Sequence, residues 1–341
     1  MGHAYRRVGP PAAVVIFLLL AGCAATGPPA VVPELEPIVV ETAPLPVVPS
    51  PKPAVRPTPP RQTTSRADIA LVVDTSTPAH AAVADEIAAA LPPRTYRVER
   101  VAATAKPELE ALRARRITVI AVGPEAVQAS RAALPDKPLV FCQVPSYADA
   151  LKAGAPIWGV QTLPPLDLQL KSWQAVDPSL RTIALIVSAA GAPLAEEARR
   201  AASSLAADLL VETSASDRET LYLFRRLSAG VDGLWLLPDN AALSPPVLRE
   251  LLTVASTRSI GVLTFNEALL SRGALMTATA VPADVAATVA RVVERVVAGR
   301  TADLPAMTPL SAAALAVNVD VAMALGLPPV AVPRWVAREP D

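Results

Sequence analysis

Cysteine and histidine are the side chains that first suggest chemistry in this chain, and both are scarce. Two of each occur, and His3 lies in an N-terminal segment that we interpret below as a removed signal. Known zinc sites need three or four ligands, so Cys23, Cys142 and His80 do not predict a metal site. Cys142 lies in the apolar run Pro138–Val144, and we therefore expect a packed thiol rather than a nucleophile activated by a histidine.

His80 follows Thr77 at the point where a helix is expected to begin. We interpret it as a solvated or capping histidine, and any Ser-His-Asp arrangement would depend on this one residue. The sequence also has no phosphate-binding glycine loop and no nucleophile elbow. We therefore expect no enzyme activity, no metal ion and no cofactor.

Polar residues collect directly after the predicted strands, where they could bind a small zwitterion. Hydroxyls and free backbone amides at helix starts suit a carboxylate, because the helix dipole leaves partial positive charge there. Asp74, Asp239 or Glu267 could pair with an ammonium group. The same residue types are good helix caps and turn formers, and that alternative stays open for each of them. The candidate ligand-binding residues are Asp74, Thr75, Ser76, Gly123, Pro124, Gln143, Ser188, Asp239, Asn240, Phe265, Asn266 and Glu267.

Alternating strands and helices must position these candidates. Short apolar runs between helical patterns are typical of parallel sheets covered on both faces, and ligands bind beyond the carboxyl ends of such strands. The predicted strands are Ile69–Val73, Tyr96–Val101, Ile117–Val122, Leu139–Val144, Thr182–Val187, Asp208–Glu212, Gly233–Leu237, Ile260–Phe265 and Gly273–Thr277. The predicted helices are Ala81–Leu91, Pro107–Arg115, Pro124–Leu134, Leu166–Ala175, Ala192–Leu205, Arg218–Leu227, Pro245–Ser256 and Pro282–Ala298. The last of these repeats valine every three or four residues, which predicts core packing.

Composition excludes two classes of protein. The 31 Lys and Arg residues balance 31 Asp and Glu residues, and basic runs do not exceed a triplet, so no nucleic-acid partner is expected. Hydrophobic residues make up 52% of the chain and aromatics 4%, which is too few aromatics for membrane girdles. A length of 341 residues is enough for two core-forming domains.

The first 23 residues have the pattern of an export signal. Arg6-Arg7 supplies a basic start, and the apolar run Pro11–Ala21 is too short to span a bilayer. The following Leu20-Ala21-Gly22-Cys23 resembles the bacterial lipoprotein lipobox, which implies that Cys23 is acylated and becomes the first mature residue. An ordinary signal peptide with a chance cysteine is the alternative. Ala24, where inner-membrane lipoproteins have Asp, implies the outer membrane of a Gram-negative envelope.

A proline-rich segment follows the lipobox. Twelve prolines fall between Pro28 and Pro60, with neither helical nor strand periodicity, so this segment cannot bury a core and is expected to be extended. Residues 24–65 could reach on the order of 100 Å at about 3.1 Å per residue. We interpret them as a tether.

The order of several short motifs resembles a known family over residues 68–328. Two serial α/β halves are the architecture of type I periplasmic binding proteins, and the local text is similar to the ABC-transporter substrate-binding family that includes tryptophan- and tyrosine-binding proteins. Two loops depart from that family: Val144-Pro145-Ser146 stands where an Asp-Pro pair is usual, and the loop 74–77 differs. The matching pieces are Val122–Ala126, Pro138–Phe141, Trp158–Gln161, Leu180–Ala184, Val231–Asp239, Phe265–Glu267 and Val317–Pro328.

This resemblance implies an α/β fold of two Rossmann-like lobes with parallel sheets joined by crossover hinges. We expect a signal peptide over 1–22, a lipidated and tethered segment over 23–65, and a tail over 331–341. The first lobe is expected to comprise 66–160 plus 271–300, and the second 161–270 plus 301–330.

Two functions follow from the resemblance. The first is a monomeric, lipid-anchored solute-binding protein of an ABC-type uptake system, which binds an amino-acid-like ligand between its lobes and faces the periplasm. The second is an outer-membrane lipoprotein that uses the same fold as a partner-binding or regulatory module without transport, similar to activators of peptidoglycan synthases. The tether and Ala24 favour the second function more than delivery to an inner-membrane permease.

Overall fold

Two β-sheets form the described part of the chain. A computed structural model describes residues 66–145, 156–238 and 243–339. The strands β1–β13 are Ala67–Val73, Tyr96–Ala102, Ile117–Val122, Leu139–Cys142, Ile157–Val160, Thr182–Val187, Asp208–Thr213, Gly233–Leu236, Gly261–Thr264, Met276–Ala280, Met307–Thr308, Ala312–Val317 and Arg334–Arg338. The helices α1–α9 are Pro78–Ala90, Lys106–Ala111, Pro124–Ala133, Leu166–Val176, Ala192–Ser204, Asp217–Leu227, Pro245–Thr257, Pro282–Val297 and Val319–Ala324.

The first sheet is wholly parallel and has the order β11-β5-β4-β3-β1-β2. Every residue of β3 and β4 is buried, as expected for strands covered on both faces. We call this sheet and its helices α1, α2, α3 and α8 lobe I. Proline occupies one of the first two positions in each of these four helices, where its missing N–H costs no helix bond.

The packing of helix α8 explains its valine repeat. The valines of the repeat are buried against α1 and the strands of lobe I, and burial of each contributes about 1.5–3 kcal/mol. The prediction that this repeat packs in a core is therefore confirmed. The buried members are Val285, Val289, Val292, Val293 and Val296.

The second sheet has the order β13-β12-β10-β9-β8-β6-β7. Strands β6 to β10 run parallel, whereas β12 is antiparallel to both β10 and β13. We call this sheet, with α4 to α7 and α9, lobe II. Two mostly parallel α/β sheets confirm the predicted fold class, and two antiparallel strands extend one of them.

Trp173 of α4 is the centre of the lobe II core. Its indole is fully buried and lies over two glycines of neighbouring strands. A Cβ at Gly233 would lie 2.6 Å from the indole ring, and one at Gly261 would lie 3.6 Å from its Nε1. Both glycines therefore leave room for the ring to approach the sheet.

Three crossovers join the lobes. The chain passes from β5 to α4 through residues 161–165, from β10 to α8 at Val281, and from β11 to β12 through residues 309–311. Each crossover leaves the carboxyl end of a parallel strand. The carboxyl ends of both sheets therefore lie at the boundary between the lobes.

The expected lobe boundaries differ from the structure at three points. Within 271–300, β10 belongs to the second sheet and only α8 packs against lobe I. Within 301–330, β11 joins the first sheet, and the expected tail contains β13. The inner strands of both sheets consist mainly of apolar residues, so the local pattern does not say which sheet a strand joins. None of the helices in the described ranges has the length and apolar character that crossing a membrane requires.

We expect Trp173→Ala to destabilise lobe II by about 3–5 kcal/mol, because it empties the centre of a packed core. Urea denaturation followed by circular dichroism measures the change. Tyr222→Ala, which truncates an exposed aromatic residue of α6, should change stability by less than about 0.5 kcal/mol. Equal effects of the two substitutions would contradict this description of the core.

Cys142 should not react with thiol reagents in the native protein. The residue is fully buried in β4, and burial raises the pKa of its thiol to about 12, so thiolate is scarce at neutral pH. In a Cys23→Ser background, a colorimetric thiol reagent should report one reactive group only after denaturation. An added cysteine at exposed Ala89 of α1 is the positive control, and rapid native labelling without it would exclude this packing.

Candidate interlobe binding site

Three loops of lobe I meet at the carboxyl edge of its sheet. They follow β1, β3 and β4, which are neighbours in the sheet. The backbone N–H of Asp74 donates to Val122, and the N–H of Gly123 donates to Cys142, at 2.9 and 3.0 Å. The structure therefore brings together the candidates Asp74, Gly123 and Gln143 from separate parts of the chain.

Asp74 is a buried carboxylate with partners inside the protein. Only 4% of the residue is exposed, and its Oδ1 accepts the backbone N–H of Ser76 at 2.9 Å. Burial alone would raise the pKa of Asp74, but hydrogen bonds from Ser76 and from the backbone N–H of Glu125, together with nearby His80, lower it overall. The carboxylate therefore joins the loop after β1 to the first turn of α3.

His80 packs beside this carboxylate and is not the solvated residue that we expected. Its side chain is 13% exposed, and its Nδ1 lies 3.6 Å from Oδ2 of Asp74. Nδ1 is buried and makes no hydrogen bond within the described residues. The ring lies against Gly123, because the helix that begins after Thr77 carries it there. Sequence reasoning missed this contact, although His80 stands one helical turn after the candidate loop.

Both the backbone conformation at position 123 and the atoms around it require glycine. Its φ of 93° is one that L side chains rarely adopt. A Cβ there would lie 2.7 Å from Cβ of Asp74 and 2.8 Å from the His80 ring. Pro124 then occupies the start of α3, and Gln143 has a φ of 58° and is half-buried. A left-handed glutamine is unusual, and it turns the chain sharply at the end of β4.

Thr75 and Ser76 lie exposed at the rim of lobe I. Thr77 caps α1, since its Oγ1 accepts the N–H of His80 at 3.4 Å. Helix capping, the alternative use of these hydroxyls, is therefore realised for Thr77.

In lobe II, two of the candidates act as caps. The hydroxyl of Ser188 accepts the N–H groups of Ala190 and Gly191 at 3.2 and 3.3 Å. Oδ1 of Asn266 accepts the N–H of Ala268 at 3.0 Å. Glu267 is exposed and forms an ion pair with Arg334 of β13, a partner that is distant in sequence.

Phe265 lines an apolar cavity at the carboxyl ends of β8 and β9. The cavity has a volume of about 160 Å³, comparable to an engineered apolar cavity that takes up benzene. The amide of Asn266 is the polar group among its lining residues. The remaining lining residues are Leu236, Leu237, Leu243, Leu248 and Leu269.

Several predicted residues lie outside the described ranges. Asp239 and Asn240 fall in the gap between 238 and 243, and Cys23 lies before residue 66.

The loop after β7 adds polar groups that sequence reasoning did not select. There the hydroxyl of Ser214 accepts from Thr220. Asp217, at the start of α6, accepts the hydroxyl of Ser244, which precedes α7, at 2.6 Å, and this bond lowers the pKa of the Asp217 carboxyl.

A second concavity lies away from this edge. A concavity of about 440 Å³ lies between α4 and the segment before β13, and it is lined by Lys171, Trp335 and residues 328–332 among others. It contains none of the candidate residues. In the part of the chain that the structure describes, no three His, Cys, Asp or Glu side chains are grouped as metal ligands would be.

Many solved structures are similar to this chain, and three of them follow. An ABC domain in complex with L-Trp from Streptococcus pneumonia is 17% identical, with a TM-score of 0.52, and the match covers 78% of this chain and 97% of that one. A ligand-free, open substrate-binding protein with adhesive properties from Clostridium difficile is 16% identical, with a TM-score of 0.59, over 78% and 96% of the two chains. A conserved domain protein from Vibrio cholerae is 16% identical, with a TM-score of 0.50, over 78% and 97%.

No protein-family model and no curated protein sequence matches the chain. At 16–17% identity, the similarity to these structures shows the fold alone. Their coverage and the two lobes described above agree with the architecture that the sequence motifs implied. The described part of the chain therefore has the two-lobe fold of type I periplasmic binding proteins.

Proposed function

We propose that this protein is the solute-binding component of an ABC-type uptake system and binds a small amino-acid-like ligand between its lobes. The observation that carries the proposal is the meeting of both carboxyl edges at the three crossovers. Ligands of open α/β sheets bind at such edges. Closure of the lobes about the crossovers is the motion that ligand binding would drive.

The ligand groups can be assigned to parts of this edge. The exposed hydroxyl of Thr75 and the positive end of the α3 dipole suit a carboxylate. Ser76 stays a predicted contact, although it already donates to Asp74. Asp74 is a poor partner for an ammonium group, because its oxygens already accept hydrogen bonds. Glu267 is exposed and can exchange its ion pair with Arg334 for the ligand. The cavity beside Phe265 suits an apolar side chain.

The remaining predicted contacts stay part of this proposal. In the sequence each of them follows or lies at the end of a predicted strand of one of the two lobes, so we expect a ligand between the lobes to be within their reach. These contacts are Gly123, Pro124, Gln143, Ser188, Asp239, Asn240 and Asn266. Asp239 and Asn240 are proposed from the sequence alone.

We further propose that the chain is anchored to a membrane through acyl groups on Cys23 and faces the periplasm. More than one acyl chain gives stable anchoring where a single chain does not. Ala24 favours the outer membrane. The protein would act as a monomer on a tether formed by residues 24–65.

A partner-binding role without transport is the second candidate. It is favoured by the internal use of several candidate groups: Asp74 bonds within lobe I, and Ser188 and Asn266 cap their own turns. Cross-linking in envelope extracts separates the two roles. A captured permease supports transport, and a captured peptidoglycan synthase supports the second role.

We expect at least one L-amino acid with an apolar side chain to raise the Tm of the full-length protein and to bind in calorimetry. Phe265→Ala should then weaken binding about tenfold, since it removes the aromatic wall of the cavity. Tyr222→Ala truncates an exposed aromatic residue elsewhere in lobe II and should leave the affinity unchanged. A chain that responds to no amino acid would contradict the solute-binding proposal.

Cys23→Ser should abolish anchoring, because serine cannot carry the thioether-linked lipid. In a bacterial host, metabolic labelling with a palmitate analogue should mark the wild-type protein and not this variant. The wild-type protein should be recovered with membranes and extracted only by detergent. Cys142→Ser retains Cys23 and should label normally, whereas labelling of Cys23→Ser would refute the assigned anchor.

A further inference from the structure

Asp284 is a buried carboxylate at the point where the chain returns to lobe I. The residue is 7% exposed and lies in the first turn of α8. Its backbone N–H donates at 2.9 Å to Val281, the residue that forms the second crossover. The first turn of α8 is therefore bonded to this crossover through the main chain.

The carboxylate of Asp284 bonds to the third crossover. Oδ2 accepts the backbone N–H groups of Ser311 and Ala312 at 2.8 and 3.0 Å, and Oδ1 accepts the hydroxyl of Ser311 at 2.7 Å. Ala312 begins β12 of the second sheet, while α8 packs against the first. One side chain thus connects groups that belong to different lobes.

Further hydrogen bonds connect the segment around Ser311 to the first crossover and to Glu339. Thr308, at the end of β11, accepts the N–H of Gln161 from the first crossover at 2.9 Å. The carbonyl of Ser311 accepts the N–H of Glu339 at 2.9 Å. The three crossovers and the last described residue of the chain are therefore linked by hydrogen bonds.

Charge is concentrated around Asp284. Burial raises the pKa of Glu339, the charge of Asp167 raises it further, nearby Lys171 lowers it, and Asp284 again raises it. Asp167 forms an ion pair with Lys171 at 2.9 Å. The buried carboxylate of Asp284 therefore lies near other acidic groups, and its three donors come from Ser311 of the third crossover and from Ala312 of β12.

We infer that Asp284 is a hinge clamp, which binds the second crossover to the third and limits the angles that the two lobes can adopt. This positioning role rests on the proposed function in one respect, which is that ligand binding would drive closure of the lobes. Buried bonds to a charged group contribute more than those to neutral groups. Losing them should change the ratio of open to closed lobes on the order of tenfold.

The test measures the distance between the lobes without any ligand. In a full-length Cys23→Ser background, spin labels on Ala89→Cys in α1 and Ser256→Cys in α7 report this distance by double electron–electron resonance. Both positions are exposed on helices of different lobes, and buried Cys142 remains unlabelled. We expect Asp284→Ala to broaden the distance distribution and to lower Tm.

Asp177→Ala is the matched control. Asp177 is equally buried and accepts the N–H and hydroxyl of Ser179 at 3.0 and 2.6 Å, but it follows α4 away from the crossovers. It should lower Tm and leave the distance distribution unchanged. Ser311→Ala removes one of the three clamp bonds and should give an intermediate broadening, which answers the question if Asp284→Ala does not fold.

Unchanged distances in Asp284→Ala and Ser311→Ala, or equal broadening in Asp177→Ala, would overturn the inference. Because no ligand is used, this outcome is independent of whether the protein binds an amino acid. A protein that binds no amino acid but broadens as expected would retain the clamp and lose the proposed function.

Discussion

Strand direction is the constraint on which the arrangement of this protein depends. Parallel strands can be joined only by crossings over the face of the sheet, so every loop that follows a strand emerges at the same edge. In lobe I this edge collects Asp74, Gly123 and Gln143, and in lobe II it collects Ser188 and Phe265. The crossovers leave from the same edges, which places the variable loops next to the hinge.

Two kinds of burial stabilise this arrangement. Apolar strands and the valine face of α8 build the cores, and a few buried carboxylates join loops that are distant in sequence. Asp74 connects the loop after β1 to α3, and Asp284 connects α8 to the first residue of β12. Each carboxylate is bonded by two or more donors, which offsets the cost of burying its charge.

The sequence was sufficient to predict features that repeat locally. The valines of α8 recur at helical spacing, and β3 is one apolar run, so both elements were predictable. Strand β13 was not, because Arg334–Arg338 places three apolar residues between two arginines and shows no period of two, inside a segment that resembled a tail. The burial of Asp74 was not predictable either, since its donors include the distant Glu125. Long-range contacts of this kind, including Glu267 with Arg334, leave no local pattern.

The direction of β1 also decides how the folded part can be held. Residue 66 precedes the amino end of β1, on the opposite side of lobe I from Thr75 and Gly123. A surface or label attached directly at residue 66 would therefore lie on the side of lobe I away from this rim. The other end of the chain leaves from Glu339 beside Ser311, so a fusion placed there would load the hinge itself. Immobilisation or a fluorescent fusion should therefore use the N-terminal side of the folded part, because this side is away from the hinge.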